Sequence, residues 1–185
     1  MLRMMQHSPS MKPAATGLSR RRLLALGAGA TVVFTVVGGA AWLWRPGVQA
    51  GRLTASGRAV FHAVARVVLE GSLPGEEAAQ AAALERHLAR LDETIAGFPT
   101  ATQREIAQLL GLLSVAPARQ WLTGLQSDWA AASIGELEAA LRRIRSTDHV
   151  LRQQAYHALR DLTNAAFYAQ PEQWPLMGYP GPSAV

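Results

Sequence analysis

Four histidines after residue 50, His62, His87, His149 and His157, are the side chains best suited to acid–base or metal chemistry. No two of them stand three or four residues apart, so no helix would present a two-histidine metal face. His157 and Asp161 are four apart and read as a pair on a helix surface. Asp148, beside His149, falls at a helix start, where a carboxylate serves as a cap or dipole partner. Glu85 and Glu105 lie among charged neighbours and read as solvated faces. Nothing pairs a nucleophile with a base at a recognisable spacing. Cysteine is absent, which excludes disulfides, thiolate metal sites, cysteinyl iron–sulfur clusters and covalent haem attachment. Gly27, Gly29, Gly38 and Gly39 sit inside an apolar run with no strand before them, so they are no dinucleotide fingerprint. The residues therefore predict no catalytic, cofactor-binding or metal site in this chain, and a protein that is not an enzyme.

The pattern that does stand out is an address. Ser19-Arg20-Arg21-Arg22-Leu23-Leu24 opens a stretch that reaches Trp44 without another charge. Ser19, Arg20, Arg21, Leu23 and Leu24 fill a pattern that resembles the signal of the twin-arginine export machinery, which moves folded proteins across the inner membrane. An ordinary secretory signal or a plain membrane anchor is the alternative. Arg45 after the apolar run and the four glycines within it favour the twin-arginine route. Residues 23–44 would span about 33 Å as a helix, enough to cross a bilayer core. Trp42, Trp44 and Arg45 sit where interfacial residues would. Val48-Gln49-Ala50 has the small residues a signal peptidase needs, so cleavage after Ala50 is expected, with a retained anchor as the other outcome. Either way the residues after 50 would lie in the periplasm.

The charge belongs to this leader. Of 18 basic residues, 12 follow position 50, against all 13 acidic ones. The downstream domain is thus near neutral, and nothing favours nucleic acid as a partner.

Residues 1–18 read as a disordered lead-in, 19–50 as signal or signal-anchor, 51–169 as a helical domain and 170–185 as a tail, with 45–53 a short linker. Val60, Val64, Val67 and Val68 predict a helix over 55–70, capped by Thr54. Leu84, Leu88, Leu91 and Ile95 form one face of a helix over 76–96. Ile106, Leu109, Leu110 and Leu113 predict a helix starting after Thr100 or Thr102 and ending near 115. Pro117 starts a short helix over 118–124. Ser133 and Glu136 have capping-box spacing and open a helix to about 145. Ser146 or Thr147 would cap a last helix over 148–169. No segment alternates with period two. The fold class expected is all-α, a bundle of five or six helices.

The tail is rich in proline and aromatic residues, which predicts irregular, extended or polyproline-like backbone. Tyr168, Trp174, Met177 and Tyr179 would offer interface anchors. The tail could instead fold back over the domain's own core or stay disordered.

These features together resemble the gluconate 2-dehydrogenase subunit 3-like family, the small subunit of membrane-associated flavin-dependent sugar and alcohol dehydrogenases. The residues that carry the resemblance are the leader, Leu69-Glu70-Gly71-Ser72-Leu73-Pro74, and the tail from Trp174 through Gly178-Tyr179-Pro180-Gly181-Pro182. Phe167-Tyr168 departs from the expected Tyr-Tyr. The resemblance implies a non-catalytic subunit that escorts a folded FAD-dependent large subunit, of the glucose-methanol-choline oxidoreductase type, through twin-arginine export and stabilises it. It implies FAD and haem in partner subunits, the haem in a c-type cytochrome, and partner binding by Tyr168, Trp174, Gly178, Tyr179, Pro180, Gly181 and Pro182. A membrane-tethered scaffold of another periplasmic complex and a free-standing periplasmic enzyme are the alternatives.

Overall fold

The computed structural model describes residues 46–181. The residues expected to form the export signal, Ser19, Arg20, Arg21, Leu23 and Leu24, the apolar stretch 23–44 and Pro182 lie outside the described residues. Within them the chain is mainly helical: β1 (Val48–Gln49), β2 (Arg52–Leu53), α1 (Ala55–Val68), α2 (Glu77–Ala96), α3 (Thr100–Ser114), α4 (Ala116–Thr123), α5 (Ile134–Arg145), α6 (Val150–Tyr168) and a 3-10 helix (Pro171–Met177). Among the described residues no helix is long and apolar enough to cross a membrane.

Helix α1 is the centre. Thr54 caps it, its hydroxyl accepting from the Gly57 amide at 3.4 Å. Val60, Phe61, Ala63, Val64, Ala65 and Leu69 are at most 1% exposed, so this helix is enclosed on nearly every side. It touches α2, α3, α5, α6 and β2. Leu88, Leu91 and Ile95 of α2, Leu110 and Leu113 of α3, Leu137 and Ile144 of α5, and Leu159 of α6 complete the same core. Their helical spacing is what lets each element bury one stripe against α1.

Polar groups fix the approach of these helices. Arg58 of α1 reaches Glu85 at 2.7 Å and Asp92 at 3.4 Å on α2. Asp92 also accepts the Leu53 amide at 2.7 Å, joining α2 to β2. Arg119, 3% exposed, pairs with Asp128 at 2.7 Å and donates to the Gln126 carbonyl at 3.2 Å. That holds the loop after α4, whose Trp129 is buried and donates its indole N–H to the Leu113 carbonyl at 2.8 Å. Ser133 and Glu136 form the reciprocal capping box expected for α5.

Several boundaries differ from the sequence reading. Helix α2 is capped by Glu76, whose carboxylate accepts from the Ala78 and Ala79 amides. Helix α3 starts at Thr100, with Pro99 as its unbonded N-cap. Helix α4 begins before Pro117 rather than after it, since proline fits the first turn of a helix. Helix α6 starts only at Val150; Thr147 accepts the His149 amide at 3.2 Å, but Ser146 closes α5 instead.

The larger correction concerns residues 45–53. Instead of a linker, residues 48–53 form an antiparallel hairpin, pairing Val48 with Leu53 and Gln49 with Arg52. Val48 and Leu53 are both 7% exposed and belong to the core. The Gly47 amide donates to the Ala107 carbonyl at 3.0 Å, and the Thr54 amide donates to the Gly47 carbonyl at 3.0 Å. Gly47 and Gly57 pass so closely that a Cβ on Gly57 would collide with the Gly47 carbonyl oxygen. Residues 46–53 therefore pack as part of the helical domain rather than as a linker to it. A cut after Ala50 would sever the hairpin at its turn and remove Val48 from the core, a loss of about 1.5–3 kcal/mol of side-chain burial alone. If the chain is exported as the leader suggests, the mature protein is thus expected to retain residues 46–50. Intact-mass measurement of the membrane or periplasmic form tests this; an N-terminus at Gly51 would contradict it.

Candidate functional site

Helix α6 ends at Tyr168, leaving carbonyls without helical partners. Gln170 turns the chain into extended backbone, and Pro171 restarts it as a 3-10 helix. The tail is therefore helical over 171–177, not polyproline-like as its composition suggests. The reason is local. Pro171 occupies the first turn, where no N–H is needed, and tight i to i+3 turns accommodate Pro175. The Gly178 amide donates to the Pro175 carbonyl and the Tyr179 amide to the Trp174 carbonyl, both at 3.0 Å. Gly178 closes the helix at φ 68, the left-handed conformation that glycine adopts without strain.

Trp174 holds this tail together. Its indole N–H donates back to the Tyr168 carbonyl at 3.2 Å, using one of the free carbonyls at the end of α6. Tyr179 packs edge-on against its ring at 5.3 Å. Gly181 passes beside the ring, where an added Cβ would lie 3.3 Å from it. Pro171, Pro175 and Pro180 join these residues around a shallow concavity of about 320 Å³. Outward, Leu176, Met177 and Tyr179 are 58%, 50% and 46% exposed. None of residues 171–177 is buried, so this described part of the tail does not seal the domain's own core.

The turn after α1 lies beside the end of α6. The Ser72 and Tyr168 hydroxyls lie 3.5 Å apart, and Leu73 and Tyr168 pack on the small cluster of Ala65, Leu69, Leu84 and Phe167. Phe167 is 7% exposed there, edge-on to Tyr168 at 5.1 Å, so a phenylalanine at this place buries no hydroxyl. Of the partner-binding residues expected from sequence, the structure brings together Tyr168, Trp174, Gly178, Tyr179, Pro180 and Gly181. The juxtaposition of Ser72 with Tyr168 carries no signal in the sequence, because it depends on how α1 and α6 cross.

The candidate chemical residues do not converge. His157 packs edge-on to Tyr156 at 5.5 Å and Asp161 pairs with Arg160 at 3.3 Å; both are exposed on α6, as the surface reading expects, without a hydrogen bond between them. His149 faces the exposed ring of Trp121 at 5.4 Å. Among the described residues no group of three or more metal-ligating side chains is gathered. His62, half-buried, has its pKa lowered by desolvation and by Arg66, partly offset by Glu85. No family model, no curated protein and no solved structure matches the chain.

One titratable residue was hidden in the helical pattern. His87 is 4% exposed, sits edge-on to Phe167 at 6.2 Å, and neither ring nitrogen has a hydrogen-bond partner among the described residues. Burial lowers its pKa from 6.5 to about 4. The folded protein therefore holds it neutral where the unfolded chain would take up a proton. Stability contributed by this neutrality is full above pH 6.5 and declines as pH falls towards 4, by at most about 3 kcal/mol. His62 acts in the same direction. Replacing His87 with Leu should flatten the stability profile between these pH values without lowering stability at neutral pH. Urea midpoints measured across that range test it, and an unchanged slope would contradict the assignment.

Proposed function

We propose that this chain is a non-catalytic escort subunit for a folded periplasmic dehydrogenase. The observation that carries the reading is the ordered tail, which turns Leu176, Met177 and Tyr179 outward on a frame built by Trp174. An exposed apolar cluster held in shape has little ordering entropy left to lose on binding, which suits a docking element. The leader supports the same reading, since a twin-arginine address belongs to cargo that crosses the membrane folded. So does the resemblance to the gluconate 2-dehydrogenase subunit 3-like family. On that reading the partner is an FAD-dependent large subunit of the glucose-methanol-choline type, with a c-type cytochrome as a further subunit. The cofactors belong to those partners. The escort acts in the periplasm, with residues 23–44 available as an inner-membrane anchor.

Replacing Arg20 and Arg21 together with lysine should leave the partner's flavin-linked dehydrogenase activity in the cytoplasmic fraction. Fractionated activity assays check this. Undiminished periplasmic activity would overturn the escort role.

A further inference from the structure

A second concavity, of about 460 Å³, lies where the end of α1 meets α5 and α6. Its apolar lining comes from Val67, Val68 and Leu141. Arg142 and Arg145 from α5 and Arg160 from α6 border it, together with Asn164. Tyr156, Arg160, Asn164 and Tyr168 follow one another at four-residue intervals, so α6 presents them as one stripe.

The charge here departs from that of the domain. The described residues carry slightly more acid than base, yet this groove is lined by three arginines and one carboxylate, Glu138, with Asp161 pairing Arg160 at 3.3 Å from outside the lining. Glu138 lies 3.9 Å from Arg142, a loose pairing. Among the described residues Arg145 has no carboxylate within 4.0 Å. The dipole of α5 accounts for basic residues in its last turn. It does not account for Arg160, which comes from the middle of another helix and converges on the same groove.

We propose that this groove binds an acidic, partly aliphatic segment of the partner protein. Arginine forks pair with carboxylates. The apolar lining takes a leucine-like side chain, and Asn164 offers both a donor and an acceptor to the partner's peptide groups. An anionic lipid surface fits less well, because a concavity between helices admits a chain segment and not the flat face of a bilayer. The chain's own leader does not fit either, because residues 1–50 contain no acidic side chain. Tyr168 lines the groove, and its carbonyl anchors Trp174, so one partner can span groove and tail. The proposal rests on the escort reading only for the partner being a protein.

The test uses the full chain and a fluorescent peptide of repeated Glu-Leu-Ser, with Gln-Leu-Ser as its uncharged counterpart. Wild-type protein should bind the acidic peptide and not the uncharged one. Joint replacement of Arg142, Arg145 and Arg160 with alanine should weaken that binding roughly tenfold. Joint replacement of Arg86, Arg90 and Arg104 removes the same charge elsewhere and should leave it unchanged. Arg160→Glu alone, at an exposed position, should reproduce the loss with an unaltered circular dichroism spectrum. Equal binding of both peptides, equal losses in both triple variants, or full binding by Arg160→Glu would overturn the proposal. So would loss of self-association in place of peptide binding, or selective loss of binding to phosphatidylglycerol vesicles. Such a result leaves the export reading intact, because that depends on Arg20 and Arg21.

Discussion

The structure depends on the enclosure of α1. A helix whose Val60, Phe61, Val64 and Ala65 are all essentially buried cannot be stable alone; it needs partners on every side. Helices α2, α3, α5 and α6 supply them, each with one apolar stripe. The small residues matter as much as the large ones. Gly57 lets the hairpin strand cross the first turn of α1 at backbone distance, and Ala63 and Ala65 leave room for neighbouring helices. The hairpin and the last helix are thus brought to their places by the same central element.

That arrangement sets where the outward-facing features fall. The end of α1 runs into the turn carrying Ser72 and Leu73, which meets the end of α6 at Tyr168. Tyr168 in turn receives the Trp174 indole at its carbonyl. A chain of contacts therefore runs from the buried helix to an exposed apolar tail. The arginine-bordered groove opens beside the same residue. Preorganisation of the groove comes from the packed helices, and that of the tail from its own Pro171, Trp174 and Gly178 docked on the end of α6.

Much of the helical architecture was legible because caps and stripes state it directly. Thr54 and the Ser133–Glu136 box mark helix starts by side-chain chemistry that works locally. The hairpin was not legible. Its strands are two residues long, and its turn uses Ala50 at φ 50 and Gly51 at φ 74, where asparagine or aspartate before glycine would have announced it. Trp129 lies in a loop and Arg119 in a short helix whose sequence shows no reason for burial, yet a long-range hydrogen bond and an ion pair hold them in the interior. The tail's proline content pointed to extended backbone, and the return bond from Trp174 to Tyr168 was invisible without the end of α6 in place. The anchors of the candidate site were therefore legible by type, while the shape that presents them was not.

The central claim is that the Trp174-framed tail holds a partner protein outside the core of this domain. Its most direct test is the Trp174→Ala protein, co-expressed with the flavoprotein large subunit that the proposal expects to co-purify with the wild-type chain. The account predicts that recovery of that flavoprotein falls roughly tenfold, as for loss of an interface anchor, while the thermal unfolding of the helical domain stays close to wild type. Undiminished recovery of the flavoprotein with Trp174→Ala would contradict it.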